Sequence, residues 1–211
     1  MQCGFLGDKI MGKYKENEVS NDILRFQPSV IRQGKAIDVV KASRGPAGSD
    51  LSIFITQQRP HRAVHGAQPR LWITMPLTPV NVRRTVEGTD HRAEMQPHSV
   101  CLMPPQTPCE VEVNQKVRAV HVSLGETLLQ EMAEELLERD AQDTRFIPTF
   151  GNSDSSLSYL LRAAERTLVA PAPAARLQTE HLARALAADV LSRYTEIRPA
   201  RRKLRSAERL T

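Results

Sequence analysis

From Ile37 to Leu124 the chain is a succession of short apolar–polar alternations separated by turn-forming residues, the period-two pattern of half-buried strands. Leu51, Ile53 and Ile55 alternate with Ser52, Phe54 and Thr56, and Leu71, Ile73, Met75 and Leu77 alternate with Trp72 and Thr74. Val80–Val86 runs into Glu87-Gly88, a turn signal. Ser99–Met103 stops at Pro104-Pro105, which cannot continue a central strand. Cys109, Val111 and Val113 alternate with Glu110 and Glu112, and Val120, Val122 and Leu124 share one face of Val117–Leu124. Ile37–Val40, before a turn cluster at 44–50, adds a seventh strand. Seven short strands with no helical period between them predict an antiparallel sandwich or barrel.

After Leu124 the period becomes helical. Ser123 followed by Glu126 fits a capping box, and Leu128, Leu129, Met132, Ala133, Leu136 and Leu137 form an apolar stripe. A second helix is expected from the N-cap residues Ser153-Asp154, with Leu157, Leu160, Leu161, Ala164 and Leu168 on one side. Ala170-Pro171-Ala172-Pro173 breaks it. A third runs from about Ala174 to Tyr194, with Leu182, Leu186 and Val190 in one row and Ala183, Ala187, Leu191 and Tyr194 beside them. The expected fold class is mainly β, then α. Its expected parts are a poorly ordered leader (1–27), a β-domain (28–124), a helical region (125–197) and a basic tail (198–211).

Composition narrows the class. Forty per cent of the residues are apolar but only 4% aromatic, so the core must be built from Val, Leu, Ile and Ala. No run approaches the roughly 18 apolar residues of a membrane helix, and the first fifteen residues lack the pattern of a secretory signal. Three cysteines, Cys3, Cys101 and Cys109, are too few for a disulfide framework and are expected as reduced thiols in a cytoplasmic protein. The net charge is +5. The tail from Arg198 to Thr211 holds six basic residues and one acid, the whole surplus, and the remainder balances to zero.

The sequence carries no Gly-rich phosphate loop, no Gly-x-Ser-x-Gly, no His-Glu-x-x-His and no His-x-His pair of the kind that places two metal ligands on one strand face. His61 and His65 share a face if their segment is a strand; the run 59–66 reads as a loop or edge strand, and solvated loop histidines are the simpler expectation. Cys101 and Cys109 are seven residues apart in a stretch that fits no zinc knuckle, and core packing suits both. A Cys–His pair with His121 would need an electropositive setting for the thiol. Three residues suit small-molecule binding better than catalysis. Trp72 and Thr74 lie opposite the Leu71/Ile73 row, and His121 lies opposite the Val120/Val122 row. Arg83 and Arg84 point to opposite sheet faces, so that one of them can meet an anion inside a barrel mouth. The candidate ligand-binding set is therefore Trp72, Arg84 and His121, with no catalytic residue, no metal site and no cofactor expected.

The segments Trp72–Leu77, Asn81–Val86, Ser99–Pro105, Cys109–Val113 and Val117–Val122, followed directly by a leucine-rich helix, resemble the N-terminal effector-sensing domain of AraC-family bacterial transcription regulators. The helix holding Leu182–Tyr194, then Pro199 and a run of arginines, resembles the helix and linker before that family's DNA-binding half. The resemblance implies a cupin-like β-sandwich or barrel that binds a small effector, and a helical region that forms a homodimer. Leu182, Leu186 and Val190 are the residues expected to carry the pairing. It also implies a C-terminal half of roughly a hundred residues with two helix-turn-helix motifs. This sequence ends where that half would begin, so DNA is an expected partner only through such a domain, and a membrane is not an expected partner. The alternative is a stand-alone cupin-like metal-dependent enzyme or small-molecule-binding protein.

Overall fold

A computed structural model describes residues 36–44, 51–137, 144–168 and 172–197; the expected leader and basic tail lie outside the described residues. The strands are β1 (Ile37–Arg44), β2 (Leu51–Gln58), β3 (His61–His65), β4 (Leu71–Pro76), β5 (Val80–Val86), β6 (Thr89–Met95), β7 (Ser99–Met103), β8 (Cys109–Val113) and β9 (Val117–Leu124). Helix α1 (Glu126–Leu137), strands β10 (Thr144–Phe146) and β11 (Thr149–Ser153), helices α2 (Ser155–Thr167) and α3 (Ala172–Arg193), and strand β12 (Thr195–Ile197) follow. The class is mainly antiparallel β, then α, as the periodicity predicts.

Two sheets form the sandwich. The larger has the order β1-β2-β9-β4-β7-β11 and the smaller β3-β8-β5-β6, with every pairing antiparallel. The larger sheet is covered on both faces. Leu51, Ile53, Ile55, Leu71, Ile73, Met75, Val120, Val122 and Leu124 form one cluster with Leu129 and Met132 of α1, Leu157 and Leu161 of α2, and Leu186, Val190 and Leu191 of α3. The alternate side chains of the same strands face the smaller sheet. Strand β9 is consequently buried at every position but Arg118.

Several predicted strand ends hold for a local reason. Glu87 (φ 50°) and Gly88 (φ 77°) both take positive φ, as the two-residue type I′ hairpin joining β5 to β6 requires. Gly151 (φ 73°) sits at the irregularity of β11, where a Cβ would meet Ala93 Cβ at 3.4 Å. This lets the last strand of the larger sheet close against β6. Strand β6 itself was not predicted, because Thr-Asp-His-Arg-Ala-Glu-Met lacks apolar alternation on an edge strand that is exposed along most of its length. Among the described residues no helix is long and apolar enough to cross a membrane.

Two expectations about the helices need correction. Ser123 lies inside β9, and its hydroxyl accepts a 2.6 Å hydrogen bond from Arg70 Nε, so it is a strand residue rather than the cap of α1. Leu182, Leu186 and Val190 are 8%, 0% and 0% exposed. Their row is the face of α3 that packs into the chain's own core. Apolar rows on helices are equally suited to the chain's own core and to a second copy, and here the core, with α1 and α2 as the helix's neighbours, takes this one.

Asp154 holds the helical layer together. It caps α2 by accepting from the Leu157 amide at 2.9 Å, accepts from the Tyr194 hydroxyl just past α3, and pairs with Arg193 at 2.8 Å. Burial pushes its carboxyl up, but the hydrogen bonds from Tyr194, Leu157 and Arg193 together outweigh this and hold it below the usual carboxylate range. Replacing Asp154 with Ala removes the cap and the acceptor of the Tyr194 hydroxyl, while Arg193 keeps Asp189 at 2.6 Å, and is expected to destabilise by about 1–3 kcal/mol in urea unfolding at pH 7. Because the depressed carboxyl stabilises only when ionised, the gap between wild type and D154A should narrow as pH falls below about 4.

Candidate functional site

The alternation that sends one row of the larger sheet to the helices sends the other into a cavity of about 170 Å³ between the sheets. Phe54, Thr56 and Gln58 of β2, Trp72 and Thr74 of β4, Cys101 and Met103 of β7, and Ala119 and His121 of β9 line it from one side. Val80, Val82 and Arg84 of β5 with Cys109, Val111 and Val113 of β8 line it from the other. The segments holding Gln68 and Gln106 are tied by a 2.6 Å backbone hydrogen bond beside Pro104 and Thr107. At the opposite end Val80, Val113 and Val117 pack with Met95. The wall is mainly apolar, with a few convergent polar groups, which is the chemistry of a small-molecule site.

One polar group is a histidine locked in a network. His121 is 8% exposed and stacks on Phe54 at 4.8 Å between centroids, with Trp72 edge-on to Phe54 at 5.2 Å. Its Nε2 lies 2.9 Å from Thr56 Oγ1 and 3.2 Å from Gln58 Nε2, and its Nδ1 lies 3.1 Å from Thr74 Oγ1. Trp72 Nε1 donates to the same Thr74 oxygen at 3.0 Å, and Gln58 Nε2 donates to Thr56 Oγ1 at 2.8 Å. The tautomer with hydrogen on Nδ1 gives each of the five contacts a donor and an acceptor, with the single lone pair of Nε2 shared between the Thr56 hydroxyl and the Gln58 amide, which can only donate. A second proton on Nε2 would face that amide. Burial, and secondarily the charge of His65, push the His121 pKa down to about 3.

The other group is an arginine without an acid. Arg84 is 5% exposed. Its Nη1 donates to the Thr149 carbonyl at 2.9 Å, and its guanidinium lies 4.6 Å from the centroid of the Phe150 ring. Its Nε is buried and has no hydrogen-bond partner. Among the described residues no Asp or Glu lines the cavity, and the second arginine on its wall, Arg70, donates to Ser123. Burial lowers the pKa of Arg84, with the thiols of Cys101 and Cys109 opposing. Its neighbour Arg83 points outward, to Asp90 and Glu112. Alternation settles which arginine is inside.

Trp72, Arg84 and His121 thus all line one cavity. His61 and His65, expected as solvated, lie on edge strand β3 and line the same cavity, and burial, then the charge of His61, takes the His65 pKa down to about 4. Cys101 and Cys109 are on its wall, and burial pushes both thiols up to about 11, away from nucleophilic use at neutral pH. Among the described residues no three His, Cys, Asp or Glu side chains come together as metal ligands. Phe54, Thr56 and Gln58 were legible in the alternation of β2 only once its inward face was known. Thr149 and Phe150 carried no signal, since β11 is five residues on a sheet edge.

No family model matches the chain, and no curated protein matches it. Among solved structures it is similar to the cupin domain of Schizosaccharomyces pombe Cnp3, at 13% identity over 45% of this chain and 69% of that one, with a TM-score of 0.38. It is also similar to the EutQ protein of Clostridium difficile, at 10% identity over 48% and 77% with a TM-score of 0.38. A third is an HTH_3-family transcriptional regulator of Vibrio cholerae, at 11% identity over 50% and 60% with a TM-score of 0.38. All three alignments span half of this chain or less, and function has to be read from the site itself.

The histidine network gives a pH signature. Both His121 and His65 have native pKa values depressed below the unfolded value of about 6.5, so the unfolded chain binds protons that the native chain refuses. The stability they contribute is present above about pH 6.5 and is lost progressively on acidification. Urea unfolding should show stability falling from pH 7 to pH 4.5, and His121→Gln should flatten part of that slope while lowering stability at pH 7 by about 1–3 kcal/mol.

Proposed function

We propose that this chain is the effector-sensing module of an AraC-type transcription regulator, binding a small organic molecule between its sheets without transforming it. The observation that carries the reading is the cavity, a space left on one face of a sheet whose other face is packed solid by three helices. The run of strands from Trp72 to Val122 into a leucine-rich helix supports the family. Binding rather than turnover is supported by the state of the wall: His121 is held neutral and fully hydrogen-bonded, and both thiols are held protonated. In this reading DNA contact belongs to a helix-turn-helix half, and self-association uses surfaces other than Leu182, Leu186 and Val190.

The test is thermal unfolding against a panel of sugars, amino acids, nucleosides and organic acids. A ligand at a hundredfold its Kd is expected to add about 2.7 kcal/mol. Ala119→Leu, which fills the cavity wall beside His121, should abolish the stabilisation while the variant itself still unfolds cooperatively. No shift with any compound, or an equal shift in the filled variant, would contradict the reading.

A further inference from the structure

We propose that the ligand of this cavity is a compact monocarboxylate with a body about the size of one six-membered ring, its carboxylate held by the Nε–Nη2 edge of Arg84. The inference rests on the sensing reading above and adds the charge and size of the ligand.

Three observations carry it. The first is an unbalanced charge. Arg62 and Arg83, on β3 and β5, each have carboxylates: Arg62 with Glu110, and Arg83 with Asp90 and Glu112. Arg84, the most buried of the three, has none within ion-pair reach among the described residues, and no acid lines the cavity. An arginine keeps its charge at any physiological pH, and a buried charge without a counter-ion is costly. A structure that keeps one beside a cavity gains most when an anion arrives there.

The second is geometry. Of the guanidinium's two bidentate edges, Nη1 is already committed to the Thr149 carbonyl, and Phe150 covers one flat face. This leaves the edge of Nε and Nη2, and since the unpartnered Nε is too enclosed for a water-sized atom to touch, a carboxylate meets it only as the side chain turns toward the cavity. That edge is the one Arg62 uses on Glu110, where Nε donates to Oε1 and Nη2 donates to Oε2 at 2.9 Å. Two parallel donors match the two oxygens of a carboxylate. The wall's other guanidinium, that of Arg70, gives its Nε and Nη2 to Ser123, which leaves the fork of Arg84 to match a single carboxylate.

The third is volume. An apolar cavity of about 150 Å³ admits benzene, and this one measures about 170 Å³. The ring would lie among Trp72, Phe54, Met103 and Val111, all on the wall. The Thr74 oxygen already accepts from Trp72 and lies against His121 Nδ1, so its hydroxyl hydrogen remains for a polar ring substituent.

The experiment is calorimetric titration of the full chain at pH 7 with benzoate and cyclohexanecarboxylate, each against its neutral carboxamide. The carboxylates are expected to bind, and the amides at least tenfold more weakly. Arg84→Gln should remove that preference. Arg84→Lys, which keeps the charge but not the fork, should weaken carboxylate binding at least tenfold, and it serves as the variant if the Gln protein fails to fold. Amides binding as tightly as carboxylates would overturn the proposal and leave the sensing reading standing, as would carboxylate affinity unchanged in the Lys variant. Failure of all four probes, while a larger or differently charged compound from the panel stabilises the protein through the Ala119 wall, would also overturn the proposal alone. Failure of every compound would remove both.

Discussion

The burial of the six-stranded sheet on both faces is the constraint from which the site follows. A strand offers its side chains alternately to two sides, so covering one side with helices fixes what the other side must hold. In β9, Val120, Val122 and Leu124 go to the helices and leave Ala119 and His121 inside the sandwich. In β4, Leu71, Ile73 and Met75 likewise leave Trp72 and Thr74. A one-residue slip in either strand would put a histidine and a tryptophan among the helix leucines and empty the cavity wall of its polar groups. The network around His121 and the helix–sheet core therefore depend on the same register.

Inside that frame the two polar features of the wall behave differently. The His121 network is closed: each contact to the ring has a donor and an acceptor under one tautomer, and burial together with the facing Gln58 amide resists a second proton. Arg84 is open: it reaches across from the smaller sheet to Thr149 on the last strand of the larger one, which helps to tie the two sheets, but among the described residues its charge meets no acid. A closed network fixes the shape of a site, and an open cation sets what the site attracts. Helix packing, Asp154 at the junction of α2 and α3, and the Gly151 contact with β6 hold both groups in place from outside the cavity.

Much of this was legible in the chain. The predicted strands appear because alternation and Pro or Gly punctuation act within a few residues, although β1 runs on to Arg44, four residues past its expected end. The same alternation put Trp72 and His121 on the faces opposite their apolar neighbours and showed that one of Arg83 and Arg84 had to point inward. What was not legible depends on distant partners. Strand β6 exists because a two-residue hairpin folds it back on β5, although its own side chains are polar. Strands β10 and β12 are three residues each and, among the described residues, pair with one another alone. The row Leu182–Leu186–Val190 carries one signal for the chain's own core and for a second copy, and only the fold distinguishes them. His61 and His65 read as solvated because nothing local reveals that their edge strand closes a cavity.

The central claim is that Arg84, a buried cation on the wall of a ligand-sized cavity, gives its unsatisfied Nε–H to an incoming carboxylate, and its own Nε–H resonance tests that most directly. In 15N-edited NMR of the full chain, the Arg84 signal is identified by its loss in Arg84→Lys, and benzoate is then added in steps. The account predicts that this signal shifts downfield and saturates as a carboxylate accepts from it, while the Arg62 Nε–H, already occupied by Glu110, stays in place. An Arg84 signal that does not move while benzoate binds, or that moves no more than that of Arg62, would contradict it.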